Sequence, residues 1–216
     1  HINPELKNIL KQDFIKNIIV TNKAVESKKL NSKGFYEYRA KNVGIRQSKG
    51  EFILISNPDD VLTDTLVKEM KEKVNNNNKY YRCAYRSDVD HNLKEIARGL
   101  SFPNNKLFED KILGTPAAGD FLLTSREVLL SITGYAEVIS NGNETMLDGK
   151  MIIKLYKNGI KPVELNGGIL HLDHKKHDRS GLKKNWKDDY VNDNNWGLSD
   201  YSIVKNNNVY FIDYSK

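Results

Sequence analysis

Residues 51–60 read EFILISNPDD, in which four consecutive apolar side chains lead through a short polar stretch into two adjacent carboxylates. A short apolar run bounded by polar residues predicts a buried β-strand at 51–56. Such a strand carries Asp59 and Asp60 to its carboxyl end. Two negative charges at the mouth of a buried element indicate either a binding site or the cap of the following helix.

Working outward from this strand, the apolar patterns alternate between helix and strand. Helical spacing predicts helices at 4–13, 39–50, 62–74, around 125–132 and at 144–159, and β-like runs predict strands at 17–22, 79–86 and within 160–174. The polar stretch 87–115 predicts a loop or excursion. Strands and helices that alternate at short intervals are typical of a parallel α/β sheet, in which ligands bind beyond the carboxyl ends of the strands.

Size and composition suit one soluble domain. The chain has 216 residues, 38% hydrophobic and 29% charged, enough for a core around a full sheet. No apolar run reaches the roughly 18 residues that span a bilayer, and no signal-peptide pattern occurs, so we expect no transmembrane segment. The single cysteine, Cys83, excludes an internal disulfide and indicates a cytoplasmic setting. Because the first residue is His1, we expect a chain excised from a longer protein.

The formal net charge of +6 is concentrated in HKKHDRSGLKKNWK at 174–187, which holds six Lys or Arg against one Asp. Such a run contacts nucleic acid, an anionic membrane or the phosphates of a small ligand, or it is a solvated loop. Glycine-rich phosphate loops of the P-loop and dinucleotide-binding types are missing from the sequence. A phosphorylated ligand would therefore depend on a metal ion and basic side chains.

Oxygen and imidazole ligands for a metal occur at two places. Asn57 and Asp59 form the minimal set for a hard cation such as Mg²⁺ or Mn²⁺. Asp60 or Thr63 would then cap the helix that follows. The sequence HLDHKKH at 171–177 offers three histidines for a metal shared with an Asp and a diphosphate, or for a plain surface cluster.

A second pair of carboxylates lies on the helix predicted at 144–159. Glu144 and Asp148 are four residues apart and so share one face of that helix. The pair would hold a general base whose pKa is shifted by its neighbour, or it would be part of a solvated surface.

Five stretches, in this order, resemble nucleotide-sugar-dependent glycosyltransferases of the GT-A fold, especially family 2-like enzymes. They are RAKNVGIRQSKGEFILISNPDD (39–60), AAGDFLLTSREVLLSITGYAE (117–137), NETMLDGKMIIKLYKNG (143–159), GGILHLDH (167–174) and NNWGL (194–198). The resemblance implies one GT-A catalytic domain over 1–216, with a Rossmann-like, mostly parallel sheet flanked by helices and a smaller acceptor-side region. Its nucleotide-sugar half would span about 1–86, and its acceptor-binding and catalytic half about 115–200.

On the donor side, the resemblance implies that Asp59 binds a metal that bridges the donor diphosphate. Asn57 stands where many relatives have a first Asp, and would contact the donor ribose instead. His171 would complete the metal site, with His174 as its substitute. The phosphates would be held by Arg39 and by the run that begins at Lys175.

On the acceptor side, the resemblance implies that Asp148 is the catalytic base, with Glu144 as the second candidate, and that Asp120 hydrogen-bonds the acceptor sugar. The implied reaction is Mn²⁺- or Mg²⁺-dependent transfer of a sugar, with inversion, from a nucleoside diphosphate sugar to a glycan hydroxyl. UDP is the expected nucleotide, and no nucleic-acid partner is expected.

Two alternatives remain open, a nucleotidyltransferase that makes sugar nucleotides and a non-catalytic nucleic-acid-binding module. The chain also departs from the family at its start, where the helix predicted at 4–13 takes the place of the strand that would hold the nucleotide base.

Overall fold

The computed structural model describes residues 17–19, 37–100, 119–137, 147–174, 192–206 and 209–213. These ranges contain nine strands, four α-helices and one 3-10 turn, in the order β1 (Asn17–Ile19), α1 (Glu37–Gln47), β2 (Phe52–Ser56), β3 (Asp60–Leu62), α2 (Asp64–Lys73), β4 (Lys79–Val89), β5 (Glu95–Leu100), β6 (Phe121–Ser125), α3 (Arg126–Ser131), α4 (Leu147–Lys157), β7 (Lys161–Leu172), the turn Trp196–Leu198, β8 (Ser202–Asn206) and β9 (Val209–Asp213).

The main sheet is mixed and mostly antiparallel. Its strand order is β2-β6-β4-β7-β3, and β5 adds to β4. Only the β4–β7 pairing in this sheet is parallel, while β2–β6, β6–β4, β4–β5 and β7–β3 are antiparallel. A separate three-stranded sheet has the order β1-β9-β8.

The expected GT-A architecture, a Rossmann-like and mostly parallel sheet flanked by helices, is therefore wrong. The alternating pattern located the elements but did not specify their neighbours. β6 inserts antiparallel between β2 and β4, and β5 folds back on β4 as a hairpin. An all-buried strand such as β6 has the same apolar pattern in either orientation, so its direction was not readable.

Strand direction places five strand ends at one edge of the main sheet. β2, β4 and β7 run the same way, because β6 is antiparallel to both β2 and β4 and β7 is parallel to β4. Their carboxyl ends meet where the antiparallel strands β6 and β3 begin. Polar residues that follow or precede these strands are thus brought together.

Apolar cores cover both faces of the sheet, because successive strand residues point to opposite sides. One core contains Tyr80 and Leu122 and packs against α1, α3 and α4, and the other contains Tyr81 and Leu123 and packs against Leu66 of α2. Complete burial of an apolar side chain of this size contributes about 1.5–3 kcal/mol. The two cores hold the sheet edge in place from both sides.

Most predicted elements are confirmed where the structure describes them. The helices expected at 39–50, 62–74 and 144–159 correspond to α1, α2 and α4. The loop expected at 87–115 is wrong over 87–100, which completes β4 and forms β5, and the helix expected at 4–13 lies outside the described residues. Within the described ranges, each helix is too short or too polar to cross a membrane.

A buried polar cluster, here named the amide clasp, joins α1 to the segments 133–137 and 192–197. Asn42 donates from Nδ2 to Tyr135 O (2.8 Å) and Glu137 Oε1 (2.9 Å), and its Oδ1 accepts from Tyr135 N (2.8 Å). Asn192 donates from Nδ2 to Tyr135 O (2.6 Å) and accepts from Glu137 N (2.9 Å). Gly197 N also donates to Glu137 Oε1 (2.6 Å). The clasp consists of Asn42, Glu137 and Asn192 with these backbone partners, and it fixes α1 to the rest of the domain.

Candidate metal centre and active site

Strand register brings Asp59 beside His171. β3 pairs with β7 so that Asp60 lies opposite His171, and Leu172 N donates to Asp59 O at 3.0 Å. On its other side β7 pairs with β4, where Asp88 lies opposite His171. The histidine is therefore flanked by acidic residues from both neighbouring strands.

Asp59, His171 and His174 form a triad whose ligand atoms all lie within 4.8 Å of one another. Asp59 Oδ2 lies 3.2 Å from His171 Nε2 and 3.1 Å from His174 Nε2. The His171 side chain is 10% exposed and that of His174 is 52% exposed, so the triad has one buried and one open side.

The triad fits a divalent transition-metal ion. Neighbouring ligand atoms around an octahedral ion, with bonds of about 2.1 Å, lie about 3.0 Å apart, close to the separations between Asp59 Oδ2 and the two Nε2 atoms. Two imidazoles with one carboxylate suit Mn²⁺ better than Mg²⁺, which prefers oxygen ligands. Asp59, His171 and His174 are the residues that would hold such an ion.

The second ring nitrogen of His171 meets one cation and one anion. Its Nδ1 lies 2.8 Å from Arg86 Nη2 and 3.3 Å from Asp88 Oδ1. Because guanidinium groups only donate, the arrangement with Arg86 leaves the ring proton on Nε2, where it faces Asp59. A metal on Nε2 would require the proton on Nδ1, and Asp88 is placed to accept it, as carboxylates do behind metal-bound histidines.

Arg86 continues the contacts toward the ends of β2 and β6. Its Nη1 donates to Asp120 Oδ2 at 2.8 Å, and Asn57 Nδ2 donates to Asp120 Oδ1 at 2.7 Å. Lys41 Nζ donates to Asn57 Oδ1 at 3.1 Å and to Gly119 O at 3.4 Å. Arg86, Asp120, Asn57 and Lys41 thus form a chain of contacts that starts at His171.

Asp148 lies at the far end of this chain, in the first turn of α4. Its Oδ1 is 3.9 Å from Lys41 Nζ, and its Oδ2 accepts from the Tyr38 hydroxyl at 2.9 Å. Burial raises the pKa of the Asp148 carboxyl, while the charge of Lys41 opposes that rise. A carboxylate with a raised pKa that still has a nearby cation suits a general base. The contacts from the triad through Arg86, Asp120, Asn57 and Lys41 to Asp148 are here called the site network.

Asp60 does not cap α2. Thr63 is the N-cap, and its Oγ1 accepts from Leu66 N at 3.4 Å. Asp60 Oδ2 instead accepts from Asn57 N (3.1 Å) and Ser56 Oγ (3.3 Å), and burial is the first cause that raises the pKa of Asp60 to about 7. Asp60 therefore holds the turn that presents Asn57 and Asp59.

The structure brings together most of the site residues predicted from the sequence, namely Asn57, Asp59, Asp120, Asp148, His171 and His174. Arg39 lies apart from them, buried, with its Nε 3.6 Å from Glu137 Oε2 beside the amide clasp. Both carboxylate oxygens of Asp120 already accept from side chains of this chain. Glu144 and Lys175 lie outside the described residues. The predicted roles of Arg39, Glu144 and Lys175 in catalysis or phosphate binding stay predictions.

Sequence reasoning missed four members of the site, Tyr38, Lys41, Arg86 and Asp88. Arg86 and Asp88 are two apart on β4, the spacing that puts side chains on one face of a strand. Tyr38 and Lys41 are three apart on α1, the spacing of one helical face. Both spacings are present in the sequence. The Arg86–Asp88 spacing was missed because the strand was predicted to end at residue 86, before Asp88.

No protein-family model matches the chain, and no curated protein matches it.

Proposed function

We propose that the chain is a metal-dependent glycosyltransferase that moves a sugar from a nucleoside diphosphate sugar to a glycan hydroxyl. The single observation that carries the proposal is the site network, a series of hydrogen bonds and ion pairs that links the triad Asp59, His171 and His174 to the partly buried carboxylate of Asp148. The five stretches that resemble family 2-like glycosyltransferases support the same assignment. The proposal concerns the site and carries no claim of a GT-A fold.

On the donor side, Asp59, His171 and His174 would hold Mn²⁺ or Mg²⁺, with Mn²⁺ favoured by the two imidazoles. The ion, when bound, neutralises charge that develops on the leaving diphosphate. Asn57 sits between Lys41 and Asp120 at the carboxyl end of β2 and would contact the donor ribose. UDP is the expected nucleotide of the donor.

On the acceptor side, Asp148 would take the proton of the glycan hydroxyl while that oxygen attacks the anomeric carbon and the bond from this carbon to the diphosphate oxygen breaks. Direct displacement of this kind inverts the anomeric centre. A cytoplasmic setting, a glycan acceptor and the lack of a nucleic-acid partner belong to the same proposal.

Calorimetry with UDP-, GDP- and dTDP-sugars, with and without Mn²⁺, tests the proposal. One donor class should bind only with the metal, and Asp59→Ala should abolish that binding because it removes the carboxylate shared by both imidazoles. Asp148→Asn should keep donor binding but lower turnover about 10²–10⁴-fold, the typical contribution of a general base. Donor hydrolysis without an acceptor provides the turnover readout. Asp200→Asn, which changes an exposed carboxylate outside the site network, is the matched control.

Unchanged donor affinity in Asp59→Ala would contradict the metal site, and unchanged turnover in Asp148→Asn would remove the base. Consumption of a nucleoside triphosphate with a sugar phosphate would favour the nucleotidyltransferase. Binding to nucleic acid that weakens steeply with salt, with no response to sugar nucleotides, would favour the binding module.

A further inference from the structure

Tyr38 and Asp148 are 110 residues apart in sequence and meet through the starts of two helices. Tyr38 lies in the first turn of α1 and Asp148 in the first turn of α4. The tyrosine ring packs against that of Tyr135, with centroids 5.3 Å apart, so packing as well as hydrogen bonding fixes the direction of its hydroxyl. That hydroxyl donates to Asp148 Oδ2 at 2.9 Å.

The two oxygens of Asp148 have different surroundings. Oδ1 is buried, faces Lys41 at 3.9 Å, and accepts no hydrogen bond from the described part of the chain. The Asp148 side chain as a whole is 23% exposed, and Oδ1 contributes almost none of that exposure. A carboxylate oxygen has two lone pairs, and the Tyr38 hydroxyl uses one of those on Oδ2.

The backbone at Gly119 leaves room for this carboxylate and for little else. A Cβ at position 119 would lie 2.6 Å from Asp148 Oδ2, closer than a carbon and an oxygen can approach. The carbonyl of the same glycine accepts from Lys41 Nζ at 3.4 Å. Gly119, Tyr38 and Lys41 together fix the Asp148 carboxylate, with Oδ1 buried beside Lys41 and Oδ2 at the Tyr38 hydroxyl.

From this geometry we propose that Tyr38 is the positioning residue of the base and that Asp148 Oδ2 is the atom that receives the acceptor proton. The proposal rests on the proposed function. The proton passes from the acceptor hydroxyl to the free lone pair of Oδ2, the acceptor oxygen bonds to the anomeric carbon, and the diphosphate leaves with the electron pair of the broken bond. Tyr38 keeps its own proton throughout and holds Oδ2 in line.

The charged groups around Asp148 fit this role. Burial has the largest effect and raises the pKa of the Asp148 carboxyl. The charge of Lys41 and the Tyr38 hydrogen bond lower this pKa, whereas the charges of Glu37 and Asp120 raise it. Burial, followed by the charge of Asp148, holds the pKa of Tyr38 far above its ordinary value, so its hydroxyl stays a donor. Loss of the Tyr38 hydroxyl should therefore make Asp148 a carboxylate that is protonated at higher pH.

Tyr38→Phe tests the proposal because it keeps the ring and removes only the hydroxyl. The titration midpoint of the Asp148 carboxyl should move to higher pH. Carbon-13 NMR follows this titration, and Asp148→Asn assigns the signal. The acidic limb of the turnover profile should move the same way, with turnover on that limb about tenfold lower, as expected for a lost hydrogen bond to a charged group. Donor affinity should be unchanged.

Tyr135→Phe is the matched control, since this neighbouring tyrosine is also buried and its hydroxyl has no hydrogen-bond partner in the described ranges. Tyr135→Phe should change neither the pH at which Asp148 titrates nor the acidic limb of the pH profile of turnover. A Tyr38→Phe protein whose Asp148 titrates as in the wild type would overturn the proposal, and so would an equal shift in Tyr135→Phe.

The base and its positioning residue can be tested separately. If Asp148→Asn leaves turnover unchanged, the proposed base is wrong, whatever Tyr38 does. If Asp148→Asn abolishes turnover but Tyr38→Phe shifts neither the midpoint nor the limb, only the positioning role is wrong. A second measurement leaves Tyr38 intact. Its hydroxyl proton should give a protected NMR resonance that disappears in Asp148→Ala, which removes the accepting oxygens, and persistence of that resonance would also overturn the contact.

Discussion

The site network and the amide clasp both depend on α1, one through Lys41 and the other through Asn42, yet they differ in how far their polar atoms are satisfied. In the clasp, Asn42 is fully buried and both its donor and its acceptor atom are paired. In the site network, Asp148 Oδ1 is buried and accepts no hydrogen bond from the described residues. The same holds for Oδ1 of Asp60, which lies in the turn that presents Asn57 and Asp59. Neighbouring residues of one helix therefore serve two different purposes.

The difference separates groups that hold the fold from groups that act on a ligand. A buried acceptor without a donor costs about 1–3 kcal/mol, so native structures leave few of them. The clasp follows that rule and uses neutral amides and backbone groups around a single carboxylate. The site network breaks it and, together with Asp88 beside His171, brings four carboxylates close to the cations Lys41 and Arg86. Departures of this kind are expected at functional sites.

The largest effect should come from the clasp. Asn42→Ala leaves Tyr135 N without its acceptor and takes one donor each from Tyr135 O and Glu137 Oε1 in a buried setting, and we expect the free energy of unfolding to fall by about 3 kcal/mol. Urea denaturation followed by circular dichroism measures this change. Asn158→Ala, which removes an exposed amide at the end of α4, should change stability by no more than about 0.5 kcal/mol. Equal losses of unfolding free energy in Asn42→Ala and Asn158→Ala would contradict the structural role assigned to the clasp.

A smaller and different effect should come from the site. Asp88→Asn removes the carboxylate that would accept the His171 Nδ1 proton, and we expect Mn²⁺ affinity to fall about 10–100-fold, as at other metal sites that lose such a partner. Stability should change by only about 1 kcal/mol, because the partly exposed Arg86–Asp88 pair contributes little.

Isothermal titration with Mn²⁺ alone measures that affinity, and Glu95→Gln on the exposed strand β5 is the control. An Asp88→Asn protein with unchanged Mn²⁺ affinity would contradict a role for Asp88 in metal binding. One destabilised as strongly as Asn42→Ala would contradict the assignment of stability to the clasp and ligand binding to the site network.

Residue chemistry selected side chains that lie together in the structure, whereas the apolar pattern predicted the wrong sheet. Asp59 and His171 were singled out because of their side-chain types, and both lie in the triad. Their meeting depends on the antiparallel β3–β7 register, which joins residues more than a hundred positions apart. Local periodicity carries no information on such a pairing, so side chains expected to share a site lie together in a sheet whose topology was predicted wrongly.

The amide clasp, in contrast, was not predicted from the sequence. Asn42 and Asn192 were not singled out, because a lone asparagine in a helix or a polar segment has no distinctive pattern. Gly134 gives the one local sign, since its φ of +60° favours glycine and a Cβ there would collide with the Asn42 side chain. Buried amides are recognisable only once the segments that they join are known.

The smallest effect concerns Lys154, a cation at the rim of the clasp. Lys154 Nζ donates to Gly134 O at 2.9 Å, and burial lowers the pKa of this lysine from 10.5 to about 8. The folded protein then releases the proton near pH 8, whereas the unfolded chain keeps it up to about pH 10.5. Between these values the unfolded state binds more protons, so the free energy of unfolding rises with pH. Lys154→Met should remove that rise.

Urea denaturation at intervals from pH 7 to pH 10 measures the slope for the wild type, for Lys154→Met and for Lys68→Met, which replaces an exposed lysine on α2. The Lys68 variant should keep the wild-type slope. An unchanged slope in Lys154→Met would show that another group titrates over this pH range. A smaller dependence of the free energy of unfolding on pH would instead show that Lys154 is the group beside the clasp that titrates in this range, while the site network responds to pH through Asp148. The two networks would then be separable in a single titration series, because one changes unfolding at alkaline pH and the other changes turnover on the acidic side.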